Sequence, residues 1–157
     1  MNNYAVIDGQ NLFSGIRQLG WDLDYQAFRH YLGRKYGVKK AYYFIGYLPQ
    51  QQRLYRRLQD YGYDLVFKPV VFGADGLPKG NVDADLVLQA LIDAAFYDQA
   101  VLVTGDGDFY SLVRYLRQQQ KLRAVLSPNR AFCSALLKQE ARGRLWFVED
   151  LRHRLER

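Results

Sequence analysis

An α/β fold with a mainly parallel central sheet and helices on both faces is predicted by three observations. Strand-like and helix-like patterns alternate along the whole chain. The short apolar runs Tyr4–Ile7 and Ala100–Thr104 are continuous rather than alternating, as strands covered on both faces are. The helical stripes end on glycines, at Gly20, Gly37 and Gly62. Alternation of this kind leads to a parallel sheet, because a parallel connection needs a crossover that a helix supplies.

Each element follows in order. Tyr4–Ile7 is the first strand, and Leu12, Ile16 and Leu19 continue at helical spacing. Tyr25, Phe28, Leu32 and Tyr36 mark a second helix, closed by Gly37. Ala41–Tyr47 is an aromatic-rich strand. Pro49 opens a helix that carries Leu54, Leu58 and Tyr61. Leu65–Phe72 reads as one strand, and Pro69 places it at a sheet edge. Residues 73–80 form a turn-rich loop. Asp83 then reads as a helix N-cap, with Val87, Ala90, Leu91 and Ala94 as the buried stripe. Ala100–Thr104 is a strand, followed by a helix on Phe109, Leu112, Val113 and Leu116. Arg123–Leu126 is a strand stopped by Ser127-Pro128, Ala131–Ala141 a helix and Leu145–Val148 the last strand, with Asp150 capping a short basic tail.

The chain has 157 residues and about half are hydrophobic, which suits one domain, residues 1–157, with its own core. Thirteen tyrosines suit half-buried strands and, when exposed, base stacking. The net charge is +6, compatible with a polyanionic partner. Cys133 is the only cysteine, so no internal disulfide forms, and its apolar neighbours mark it as a packing residue. With His30 and His153 the only histidines, a zinc site or a serine–histidine triad has little material. Met1-Asn2-Asn3 leads straight into a strand without a signal-peptide pattern, and no apolar run reaches membrane-spanning length. A cytoplasmic protein with no membrane partner is expected. Exposed tyrosines could support a homodimer.

Three acidic motifs carry the chemistry. Asp8 ends the first strand, Asp83 and Asp85 open a helix, and Asp106 and Asp108 follow the Ala100–Thr104 strand. Ligands of parallel sheets bind outside the carboxyl ends of the strands, where strand order reverses, so Asp8 and Asp106 suit one site. Clustered carboxylates repel unless a cation neutralises them, and oxygen-only ligands favour Mg²⁺ or Mn²⁺. Singly, Asp83, Asp106 or Asp108 is more readily a helix cap than a ligand. Asp83 and Asp85 stand two residues apart and point to different sides of a helix, with Asp83 the preferred ligand. Gly105 and Gly107 are expected to supply backbone freedom and space for a phosphate. Asn11 could cap a helix, or hold a water or a phosphate oxygen. Lys79 could neutralise a phosphate, and Thr104 is a third candidate for substrate contact. Arg53, Arg56 and Arg57, and separately Arg114, Arg117, Lys121 and Arg123, could follow a nucleic-acid backbone or form a solvated face.

Such a cluster suits phosphodiester hydrolysis. A non-catalytic RNA-binding or regulatory module with the same acidic pocket is the alternative. A phosphatase or receiver-like switch fits less well. Gln10 stands where a phosphatase needs its second aspartate, and Ser127-Pro128 follows the late strand where a receiver needs lysine. Dinucleotide binding is disfavoured, because no Gly-x-Gly-x-x-Gly turn follows the first strand.

Taken in order, Val6-Ile7-Asp8-Gly9-Gln10-Asn11, Lys79-Gly80-Asn81-Val82-Asp83-Ala84-Asp85 and Thr104-Gly105-Asp106-Gly107-Asp108-Phe109 resemble NYN domains of the PIN-like nuclease superfamily, in the LabA-like (DUF88) branch. The resemblance implies a three-layer α/β/α fold and Mg²⁺- or Mn²⁺-dependent endoribonuclease activity on RNA, with single-stranded RNA the expected substrate. It implies metal binding by Asp8, Asp106 and Asp108, with Asp83 or Asp85 from the acidic helix, and makes Asn11 the polar partner of the first aspartate. The family often has serine where Thr104 and Gly107 stand, and glutamate at the position of Asp85.

Overall fold

The computed structural model describes residues 1–79 and 82–157, with Pro78 and Lys79 described as backbone only. Six parallel strands form the central sheet: β1 (Asn3–Asp8), β2 (Val38–Tyr47), β3 (Tyr63–Pro69), β6 (Ala100–Val103), β7 (Leu122–Ser127) and β8 (Leu145–Phe147). Their order is β3-β2-β1-β6-β7-β8. The chain builds outward from β1 to one edge, then returns to the other side of β1 through β6. The switch in direction therefore lies between β1 and β6, which pair from Tyr4–Ala100 to Ile7–Val103.

Alternate residues of each strand face opposite layers. Ala5 and Ile7 of β1, with Val101 and Val103 of β6, pack under α1 (Gly9–Arg17), α2 (Tyr25–Tyr36), α3 (Gln52–Asp60) and α7 (Arg152–Leu155). Val6 and Leu102 face α4 (Asp83–Ile92), α5 (Tyr110–Gln118) and α6 (Ala135–Ala141). Both cores are nearly free of solvent; Ile7, Leu12, Phe28, Leu32, Phe44, Leu86, Leu102 and Leu116 are all fully buried. The result is the expected three-layer α/β/α sandwich.

Most helix ends follow the expected chemistry. The Asp24 side chain accepts from the Ala27 N–H at 3.0 Å to start α2, and Gly37 ends it in the left-handed conformation at φ 66°. β3 lies at the edge of the sheet, which tolerates Pro69.

Four expectations need correction. The Leu65–Phe72 segment is two strands: β3 ends at Pro69, and β4 (Val71–Phe72) turns back to pair antiparallel with β5 (Pro78–Lys79). The helix expected over Ala131–Ala141 begins only at Ala135, where the Ser134 hydroxyl caps it. Asp150 caps nothing; it lies in a 3-10 turn, Val148–Leu151, and its carboxylate accepts from Arg130 at 2.7 Å. In α4 the buried positions are Leu86 and Ala90, whereas Leu91 faces solvent. That helix is apolar on more than one side, so periodicity alone does not choose the face that docks.

Candidate functional site

The carboxyl ends of β1 and β6 bring together the first and third acidic motifs. Asp8 is the last residue of β1 and the N-cap of α1, where its Oδ1 accepts from the Asn11 N–H at 3.3 Å. Thr104, directly after β6, donates its hydroxyl to Asp8 Oδ2 at 3.2 Å. The same hydroxyl accepts from the Asp106 N–H at 3.1 Å. One buried oxygen thus fixes both the first carboxylate and the turn that carries the second. Asn11 makes a further bridge: its Oδ1 accepts from the Gly105 N–H at 2.8 Å, tying α1 to the loop after β6. The Asp106 carboxylate is anchored by the Asp108 N–H at 2.9 Å.

α4 supplies the third group. Asp8, Asp83 and Asp106 each present a carboxylate oxygen, and all three atoms lie within 4.8 Å of one another. The remaining expected ligands lie apart from this trio. Asp85 and Asp108 are exposed on the rim, and neither joins the three-oxygen group. Asp83 is not the N-cap expected for α4: Val82 occupies that position, and Asp83 is the first helical residue. That one-residue offset turns Asp83 toward β1 and leaves Asp85 facing outward.

The electrostatics match the geometry. Asp8 is buried, and its carboxyl is raised from 3.8 to about 6, chiefly by burial. Hydrogen bonds from Asn11 and Thr104 pull it down, while the charges of Asp83 and Asp106 push it up. Three hard oxygen donors around one small space are the donor chemistry of a divalent cation, and the trio's spacing lies within reach of an ion with water completing its shell.

Glycines make room in an unexpected way. A Cβ on Gly105 would lie 2.6 Å from Ser127 Oγ, and one on Gly107 2.4 Å from Ser134 Oγ. Neither glycine has a positive φ; each sits where an added Cβ would crowd a serine hydroxyl, so both mark close packing and not backbone freedom. Ser127 and Ser134 were not legible as site residues, because they reach the turn only through the β7 and α6 crossover. The Ser134 N–H also donates to the Gly105 carbonyl at 3.0 Å.

Other expected contacts divide. Thr104 is fully buried, so direct substrate contact gives way to a positioning role. The side chain of Lys79 lies outside the described residues, as do Gly80 and Asn81. Among the basic groups, Arg114 and Arg117 are taken up by Glu140 at 2.7 and 3.2 Å. Lys121 donates to the Tyr97 carbonyl at 2.7 Å, and Arg123 stacks on Tyr36 at 5.0 Å from the ring centre. That group knits the fold together. Arg53, Arg56 and Arg57 on α3 are exposed. Beside the Asn11–Gly105 bridge lies a cleft lined by Ser14, Gln18, Asn129 and the exposed Phe132. No helix among the described residues is long and apolar enough to cross a membrane.

Comparison with known proteins agrees with this fold. The chain is 28% identical over 161 residues to the low amplitude and bright protein LabA of Synechococcus elongatus, covering 96% of this chain and 86% of that one. A crystal structure of a protein of unknown function from Vibrio parahaemolyticus superposes with a TM-score of 0.81 at 25% identity, covering 95% of this chain and 93% of the other. The model of the NYN domain matches residues 3–143, and with the strand-end aspartates in place the chain belongs to the NYN domain family.

Proposed function

We propose that this protein is a Mg²⁺- or Mn²⁺-dependent endoribonuclease acting on single-stranded RNA, with Asp8, Asp83 and Asp106 holding the ion. The observation that carries the reading is the convergence of these three carboxylates, within 4.8 Å, at the switch point of a parallel sheet in a chain of net charge +6. Uncompensated, they would repel one another, and Asp8 already holds its proton more tightly than an ordinary carboxyl. When bound, a divalent ion would lower the pKa of a coordinated water and offset charge on the scissile phosphate.

The chain's own residues have separable tasks. Thr104 and Asn11 hold Asp8 and the Asp106 turn in register. Asp8, whose carboxyl is raised to about 6 in the cation-free protein, would be held ionised by a bound divalent ion. Asp85 and Asp108 stand exposed on the rim, where they can orient water or a further ion. The exposed arginines of α3 and Lys79 are the cations proposed to meet the RNA backbone. Phe132, beside the cleft, offers a ring on which a base can stack.

The test is cleavage of a fluorogenic single-stranded RNA in Mn²⁺ by the wild type and Asp106→Asn, with folding checked by circular dichroism. Loss of about a hundredfold or more in the folded variant supports the assignment. Equal residual activity in both proteins refutes it. Salt-sensitive RNA binding without turnover would instead favour the non-catalytic RNA-binding module.

A further inference from the structure

Helix α4 carries one face into the sheet and leaves a second apolar face in water. Leu86 and Ala90 are buried, yet Leu88 and Ile92 of α4 are 57% and 58% exposed, and Phe96, just beyond the 3-10 turn Asp93–Ala95 that follows the helix, is 66% exposed. Leu91 lies alongside at 42%. A surface helix that is apolar on two sides has two things to pack against. The inner face meets β1 and the Gly107–Phe109 turn; the outer face is the unmatched one.

We infer that this stripe is the interface of a homodimer, in which α4 of one copy packs against α4 of a second. Charge favours this occupant. Residues 83–96 contain no lysine or arginine, so the segment does not attract RNA or an anionic lipid surface. Two of its three carboxylates are directed elsewhere, and the third, Asp85, is exposed at the amino-terminal end of the stripe. Asp83 belongs to the candidate site, and Asp93 is buried, accepting from the Tyr42 hydroxyl and from Gln89. Leu88, Leu91, Ile92 and Phe96 are themselves uncharged, and two helices meeting antiparallel about a two-fold axis would hold their Asp85 carboxylates at opposite ends, away from like-charge contact.

Area agrees. At their exposures Leu88, Leu91, Ile92 and Phe96 leave roughly 470 Å² of residue surface in water, within the roughly 300–600 Å² of the largest patch on a typical monomer, a patch that is often functional. A standard interface buries about 800 Å² per partner. In homodimers about 65% of that is apolar, or roughly 520 Å². The stripe supplies nearly all of this apolar part, and the flanking polar groups would form the rim. A single helix meeting its own copy about a two-fold axis is self-complementary without any further element. The inference does not depend on the nuclease reading, because none of these four side chains belongs to the acidic site.

Sedimentation of the full chain at 5–100 µM, in 150 mM salt with EDTA, tests it. The expected result is a species of twice 18.3 kDa for the wild type. Leu88→Lys with Ile92→Lys should sediment at 18.3 kDa with an unchanged circular dichroism spectrum, since both positions are exposed. Leu88→Ala with Ile92→Ala, which keeps helix propensity, should raise the dimer dissociation constant at least tenfold, so the inference is tested even if the lysine pair fails to fold. A wild type that stays monomeric at 100 µM overturns the inference and leaves the stripe to a different protein. A dimer unaffected by the alanine pair overturns it by placing the interface on another face.

Discussion

Replacing Asp8 with asparagine is expected to make the cation-free protein more stable at neutral pH. The carboxyl of Asp8 is raised from 3.8 to about 6, mainly because it is buried. The folded chain thus binds this proton more tightly than the unfolded chain. Between these two values the folded state carries more protons, so stability falls as pH rises. Above about pH 6 the loss is complete, and it amounts to roughly 3 kcal/mol. An amide removes that penalty. Its oxygen can accept from the Asn11 N–H and its nitrogen can donate to Thr104 Oγ1, but the Thr104 hydroxyl proton then loses its acceptor. That orphan returns about 1 kcal/mol of cost. The net gain at pH 7 is roughly 2 kcal/mol, or about 4–8 °C in Tm for a chain of this size. Below pH 4, where the carboxyl is neutral in both states, the variant should be the less stable protein by about 1 kcal/mol. Urea unfolding in EDTA from pH 3.5 to 7.5 measures both limits. A variant that is less stable at every pH, or two parallel pH profiles, would refute the idea that Asp8 carries an uncompensated buried charge.

Further outcomes follow from the same geometry. Saturating Mn²⁺ should raise the Tm of the wild type and leave Asp8→Asn unmoved, and the apparent affinity should weaken below about pH 6 as protons compete for Asp8; titration calorimetry at pH 5.5 and 7.5 reads this directly. Thr104→Val, which keeps the shape but removes the hydroxyl, should cost about 1–3 kcal/mol in denaturant unfolding and weaken Mn²⁺ binding, with Thr104→Ser restoring both. Gly9→Ala would place a Cβ 2.5 Å from the Tyr43 ring and 2.7 Å from the Phe44 carbonyl oxygen, and should destabilise by about 1–3 kcal/mol in the same assay. Arg114 and Arg117 hold the Glu140 carboxyl below its ordinary value, so its contribution is present at neutral pH and lost as pH falls through the carboxylate range; Glu140→Gln should lower Tm at pH 7, with the difference narrowing toward pH 4.

Much of this fold is legible in the residues because its determinants are local. Continuous apolar runs with aspartates at their ends mark β1 and β6, Gly37 stops α2, and Pro69 announces an edge strand. The three acidic motifs are equally visible, since each is a short segment whose residue types carry the chemistry. What the chain alone leaves open is everything that depends on which segments become neighbours. Asp8 and Thr104 are 96 positions apart, and their hydrogen bond exists only because strand order reverses between β1 and β6. The choice of Asp83 over Asp85 turns on a single residue at the start of α4, since two positions on a helix point to different sides and the cap decides which faces the site. Leu91 faces water because α4 is apolar on two sides and only the sheet selects the one it buries. Local composition determined the elements and the carboxylates; long-range packing decided which of those carboxylates meet, because a side chain's neighbours across a sheet are set by topology and not by distance along the chain.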